Sequence, residues 1–142
     1  MTRPRTLRRH LLWVAALVVA TSCSRAHVPA PDDGVHVTVK DFAITAPRTV
    51  PAGDVTLLVR NAGPATHEFV VVRTDVPADG LPIGSDGLSV NEEWLPVVDE
   101  LEDIPMWTTQ TLSLHLEPGR YVFFCNLAGH YLGGMRRGVE VV

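Results

Sequence analysis

Cys125, His130 and Met135 follow one another with four residues between each, in Tyr121-Val-Phe-Phe-Cys125-Asn-Leu-Ala-Gly-His130-Tyr-Leu-Gly-Gly-Met135. They are a thiolate, an imidazole and a thioether on a Gly-rich loop between two strand-like runs. Soft sulfur ligands combined with imidazole select copper over hard cations, and a trigonal Cys plus two His with a weak axial Met is an electron-transfer copper arrangement. The loop supplies three of those four donors. His67, in Asn61-Ala-Gly-Pro-Ala-Thr-His67-Glu-Phe-Val-Val, is placed to supply the second imidazole. Taken singly, His67 reads as a loop histidine, Met135 as a core gap-filler and Cys125 as an inert buried thiol; their order and spacing favour a shared metal ion. The thioether disfavours the alternative of a zinc-binding structural module.

The start of the chain bears on the compartment. Arg3, Arg5, Arg8 and Arg9 precede an unbroken apolar run from Leu11 to Ala20. That run is too short to span a bilayer and suits a signal-peptide core over residues 1–22. Ala20-Thr-Ser-Cys23 resembles a bacterial lipobox, which makes Cys23 the expected lipid-bearing residue and 23–34 a tether; the alternative is an ordinary secretory leader with an incidental cysteine. Arg8-Arg9 is weakly similar to a twin-arginine export signal. With Cys23 lipidated, Cys125 is the odd thiol of an exported domain, and an odd cysteine in an oxidising compartment points to a reactive or ligand-bearing role.

Of 12 basic and 16 acidic residues, the four leader arginines leave with the leader, so the remaining chain carries 8 against 16, a net charge of about −8. That balance offers no patch to neutralise phosphates, and nucleic acid is not an expected partner. The length suits one domain, over residues 35–142.

The elements that must position the donors are short strands. Val35 to Lys40 alternates apolar and polar, Val55 to Val59 and His67 to Val72 form further runs, and Thr109 to Glu117 places Leu112, Leu114 and Leu116 on one face. Pro118-Gly119 turns the last of these back into Arg120 to Cys125, and Val139 to Val142 ends the chain. Such strands, with Pro and Gly turns, predict an all-β antiparallel sandwich or barrel. By strand parity Tyr121, Phe123 and Cys125 share one face; if that face is the core, the thiolate points inward, and a desolvated thiolate needs a positive partner. His36 and His115 fall on the polar parity of their strands, His10 lies in the leader and His27 in the tether.

Thr74 to Trp107 reads as an irregular insert, with nine acidic residues and no basic one between Asp75 and Asp103. Pro96 limits any helix in Asn91 to Leu101 to a turn or two. One reading is a solvated excursion with Trp94 and Leu101 pinned to the barrel; the other is a docking surface for a basic redox partner.

Residues 35–142 resemble a cupredoxin domain of the plastocyanin and azurin type. The resemblance rests on Asn61-Ala-Gly-Pro-Ala-Thr-His67 for the upstream histidine loop and on Tyr121 through Met135 for the C-terminal ligand loop. It implies a Greek-key sandwich of two sheets holding one copper ion that cycles between Cu(I) and Cu(II), with His67, Cys125 and His130 equatorial and Met135 axial. Family members often carry Asn or Ser directly after the first histidine. Glu68 stands there in this chain, and Asn126 is a candidate to supply the missing support.

A dinuclear centre would need a second bridging cysteine, and a multicopper oxidase would need His-x-His pairs and histidines beside Cys125, where Phe124 and Asn126 stand. Four protein donors close the site and leave no position for substrate, so an enzyme is not expected. Leu127, Ala128, Gly129, Tyr131, Leu132 and Gly133 around His130 would form either an apolar docking patch or packing at the barrel end. The leading expectation is a monomeric, membrane-tethered one-electron carrier outside the cytoplasm, at the outer face of the cytoplasmic membrane or in the periplasm. Its redox partners would be basic, such as a cytochrome or an oxidase. The alternative is a copper-binding protein for homeostasis or delivery.

Overall fold

A computed structural model describes residues 33–142. The leader 1–22, Cys23 and residues 23–32 of the tether lie outside the described residues.

The described chain is built from β1 (Val35–Lys40), β2 (Ala43–Thr45), β3 (Thr49–Val50), β4 (Gly53–Asn61), β5 (His67–Arg73), β6 (Val97–Ile104), β7 (Thr109–Leu116), β8 (Gly119–Phe124) and β9 (Arg136–Val141). They form two sheets, ordered β2-β1-β4-β7 and β3-β9-β8-β5-β6, with connections crossing between them. The pairs β1–β4 and β3–β9 are parallel, which makes this a mixed sandwich.

Period-two patterning explains how the sheets face each other. In β4 the buried apolar residues are Val55, Leu57 and Val59, and in β1 they are Val37 and Val39. They meet Phe69 and Val71 from β5, Tyr121 and Phe123 from β8, and Val139 and Val141 from β9 across one apolar core. Cys125 and Met135 belong to that core, and the face that Tyr121, Phe123 and Cys125 share by parity is the inward one. Phe69 and Phe123 pack edge to face, 5.2 Å between centroids, a favoured aromatic geometry.

Both faces of the middle of the five-stranded sheet are covered. Val70, Val72, Val122 and Phe124 point away from the main core and form a second cluster with Leu81, Val90 and Tyr131. Burial on both faces is why Val70-Val-Val72 and Tyr121-Val-Phe-Phe124 read as continuous apolar runs rather than alternating ones.

Leu81 and Val90 belong to the insert, which therefore contributes a core of its own. Leu101 is partly buried against the main core as expected, but Trp94 is 73% exposed and pins nothing. Glu92–Trp94 forms a single 3-10 turn, with Asn91 Oδ1 accepting from the Glu93 amide, and Pro96 ends the segment before β6. β6 then adds an ordered edge strand to the five-stranded sheet, antiparallel to β5. Its sequence, Val-Val-Asp-Glu-Leu-Glu-Asp-Ile, does not alternate, because most of it faces solvent and its register with β5 shifts twice. Carboxylates along such an edge discourage pairing with other chains. β2 and β3 have three and two residues, too short for a periodicity signal.

Candidate metal centre

The four donors reach one end of the sandwich by different routes. His67 is the first residue of β5 and shares parity with Phe69 and Val71, so its imidazole enters the core end and is fully buried. Cys125 directly follows β8 on the inward parity and is also fully buried. The loop to Met135 folds back on itself: the His130 amide donates to the Leu127 carbonyl at 2.9 Å, the Met135 amide to the His130 carbonyl at 3.0 Å and the Cys125 amide to the Met135 carbonyl at 3.1 Å. Gly129 and Gly134 take φ of 80° and 111° in these turns, a region that favours glycine.

The outcome is a compact donor cluster. Ligand atoms of His67, Cys125 and His130 lie within 4.8 Å of one another. Cys125 Sγ is 3.5 Å from His130 Nδ1, and the two imidazole centroids are 5.3 Å apart. Met135 is fully buried in the same core cluster as Cys125. His130 is half-buried, the most solvent-accessible of the four.

The electrostatics suit a bound cation. Burial raises the Cys125 thiol above its ordinary range, against opposing pulls from the Leu127 and Glu68 backbone amides. The Glu68 amide donates to Sγ at 3.4 Å. Burial lowers His67, helped by His130 and opposed by Asp41, which favours the neutral imidazole that a metal ligand requires. Both ring nitrogens of His67 are buried with no aligned hydrogen bond. A buried polar atom left without a partner is costly unless something absent from the protein satisfies it. One thiolate, two imidazoles and a thioether fit copper, which would supply a one-electron couple there.

Around the donors stand groups that sequence patterns hid. Asn61 is fully buried; its Nδ2 donates to the Ala65 carbonyl at 2.7 Å and the Ile104 carbonyl at 2.9 Å, and its Oδ1 accepts from the Gly63 amide at 2.9 Å. The loop into His67 is thus closed by a side chain that reads in sequence only as part of a turn. Asn126 does not reach the donors from the position after Cys125; it reaches outward to the insert, exchanging hydrogen bonds with Val90 and donating to Glu92 Oε1. Glu68 is half-buried, its carboxyl raised by desolvation and by Glu92, Glu100 and Asp103.

The surface around His130 is smaller than its apolar sequence suggests. Tyr131 is buried; its hydroxyl donates to the Ala78 carbonyl and accepts from the Leu81 amide. Ala128 and Leu132 are exposed, and Phe42 from the β1–β2 turn joins them, its centroid 5.5 Å from that of His130. Phe42 comes this close because Gly133 has no side chain: a Cβ there would meet the phenyl ring at 2.3 Å. His36 and His115 are exposed, and His115 bonds Asp54 and Glu117 away from the centre.

Residues 12–135 match the family described as Cupredoxin-like domain. The chain belongs to that family, and the arrangement of His67, Cys125, His130 and Met135 is the one typical of a single type 1 copper site. Among solved structures, reduced auracyanin from Roseiflexus castenholzii is similar at 21% identity and a TM-score of 0.57, covering 77% of this chain and 96% of that one. An azurin from Methylomonas sp. strain J is similar at 19% identity and a TM-score of 0.54, covering 77% and 97%. Rusticyanin from Thiobacillus ferrooxidans follows at 18% identity and a TM-score of 0.51, covering 77% of each chain. No curated protein matches the chain by sequence. Among the described residues no helix is long and apolar enough to cross a membrane.

Proposed function

We propose that the protein is a one-electron carrier, with His67, Cys125 and His130 as equatorial copper ligands and Met135 as the weak axial one. The observation that carries this reading is the closure of the site. His67, Cys125 and Met135 are fully buried, and only His130 is partly open, beside exposed Phe42, Ala128 and Leu132. A closed donor set held by packed strands leaves no position for a substrate and changes little between oxidation states. It suits a carrier better than an enzyme.

The partners under this reading are proteins that dock transiently, a cytochrome or an oxidase with a basic face. The acidic stretch of the insert beside Glu68 favours such a partner, since complementary charge raises encounter rates more than final affinity. The monomer is exported and anchored through a lipid on Cys23, which places it at the outer face of the cytoplasmic membrane or in the periplasm. The basic leader, the ten-residue apolar run and Ala20-Thr-Ser-Cys23 support that placement.

The test is to express residues 24–142, add one equivalent of Cu(II), and record visible absorption and EPR spectra. An intense blue or green band with narrow copper hyperfine splitting and a reversible couple is the expected result. A weakly coloured product, or reduction to Cu(I) without a reversible couple, would move the assignment to copper homeostasis or delivery.

A further inference from the structure

We propose that Asp41 is a positioning residue of the metal centre, its carboxylate holding His67 by the ring nitrogen remote from the metal. The inference deepens the copper reading and rests on it. Asp41 Oδ1 lies 3.1 Å from His67 Nε2. The contact falls outside hydrogen-bond alignment, yet both atoms are buried and neither has another hydrogen-bond partner among the described residues. Asp41's side chain is 39% exposed overall, so it is this one oxygen that is turned inward.

The backbone around the pair is cut to fit it. A Cβ on Gly63 would lie 3.2 Å from His67 Nε2, from Asp41 Oδ1 and from the Asp41 amide nitrogen alike. Glycine at 63 therefore leaves the space in which carboxylate and imidazole meet. Asp41 itself sits in the tight β1–β2 turn, where Lys40 pairs with Ala43 and Phe42 takes a φ of 59°. The next residue in that turn, Phe42, lies against His130. One turn from the opposite sheet thus touches both histidines, one through a charge and the other through a ring.

With Nε2 facing Asp41, Nδ1 is the nitrogen left for the metal. A carboxylate on the remote nitrogen fixes tautomer and ring orientation and strengthens the imidazole as a donor. A full negative charge there favours the more highly charged Cu(II). A backbone carbonyl in the same place would fix the ring without adding that bias.

The experiment separates orientation from charge. In copper-free protein, nitrogen-15 NMR of the His67 ring is expected to show the Nε2–H tautomer, and Asp41→Ala is expected to lose that single tautomer and about tenfold or more in Cu(II) affinity. Asp41→Asn keeps an acceptor and removes the charge; it is expected to hold the tautomer and weaken Cu(II) relative to Cu(I) about tenfold, a rise of about 59 mV for a one-electron couple. Asp54→Asn, beside the exposed His115, controls for loss of one charge. Asn suits the turn as well as Asp, so the potential can be read even if Asp41→Ala does not fold. A His67 that carries its proton on Nδ1 overturns the proposal, as does an Asp41→Asn potential equal to that of Asp54→Asn. The tautomer is read without copper, so this test stands apart from the spectra that test the copper reading.

Discussion

Asn126 and Val90 hold each other by two hydrogen bonds: the Val90 amide donates to Asn126 Oδ1 at 2.6 Å, and Asn126 Nδ2 donates to the Val90 carbonyl at 3.1 Å. The pair is 36 residues apart in sequence. It fastens the residue after Cys125 to the acidic insert, next to the second core of Val70, Val90, Phe124 and Tyr131. The insert is therefore coupled to the donor loop by a polar clamp as well as by packing.

Asn126→Ala is expected to destabilise the protein by about 1–3 kcal/mol, because it leaves the backbone amide and carbonyl of Val90 without their side-chain partner. Thermal unfolding measures the loss, and limited proteolysis is expected to cut first within residues 80–95. A variant as stable and as protease-resistant as the parent would show that packing alone holds the insert.

Asn61→Ala is expected to cost about 3 kcal/mol and to weaken copper binding as well. Three backbone groups, on Gly63, Ala65 and Ile104, lose their partner at a buried site. The affected loop leads directly into His67. Denaturant unfolding and copper titration on the same preparation would separate the two effects, and a stability loss with unchanged affinity would remove Asn61 from the support of the centre.

Glu68→Gln is expected to stabilise the copper-free protein at neutral pH. Burial raises the folded-state carboxyl, followed by Glu92, Glu100 and Asp103, so the protonated form is favoured in the native state. Its relative contribution is best below the ordinary value of 4.5 and falls as pH rises through the raised folded value. The gain on substitution should therefore be largest near pH 7 and vanish below about pH 4. Unfolding midpoints of both proteins across pH 4–8 check the sign; a gain independent of pH would mean that Glu68 is not strained by charge.

Cys125→Ser is expected to abolish the charge-transfer colour and leave a folded domain. Val37, Val59, Phe69 and Phe123 pack the core through apolar contacts, and none of them is a donor. Met135→Leu is expected to keep the colour and raise the reduction potential by removing axial donation. Visible spectra and voltammetry read both variants, and a fully blue Cys125→Ser would overturn the ligand assignment.

Much of this was legible in one dimension. The regular strands β1, β4, β5, β7, β8 and β9 announce themselves through alternating or doubly buried apolar runs, and the donors sit at their ends or in the loop joining the last two. β6 was hidden because an exposed, bulged edge strand has no inner face long enough to impose a period. Trp94 misled because a large aromatic side chain suggests burial, whereas the small second core selected Leu81, Val90 and Tyr131.

The donor types, their order and the shared face of Tyr121, Phe123 and Cys125 were determined by the sequence alone, since side-chain chemistry and the two-residue period of a strand are local properties. Tertiary structure decided what stands behind the donors: Asp41 against His67, Phe42 over His130, Asn61 closing the histidine loop and Asn126 turned toward the insert. Those contacts join residues distant along the chain. They arise only when two sheets pack face to face and bring a turn of one against the loops of the other, a relation that local periodicity does not encode.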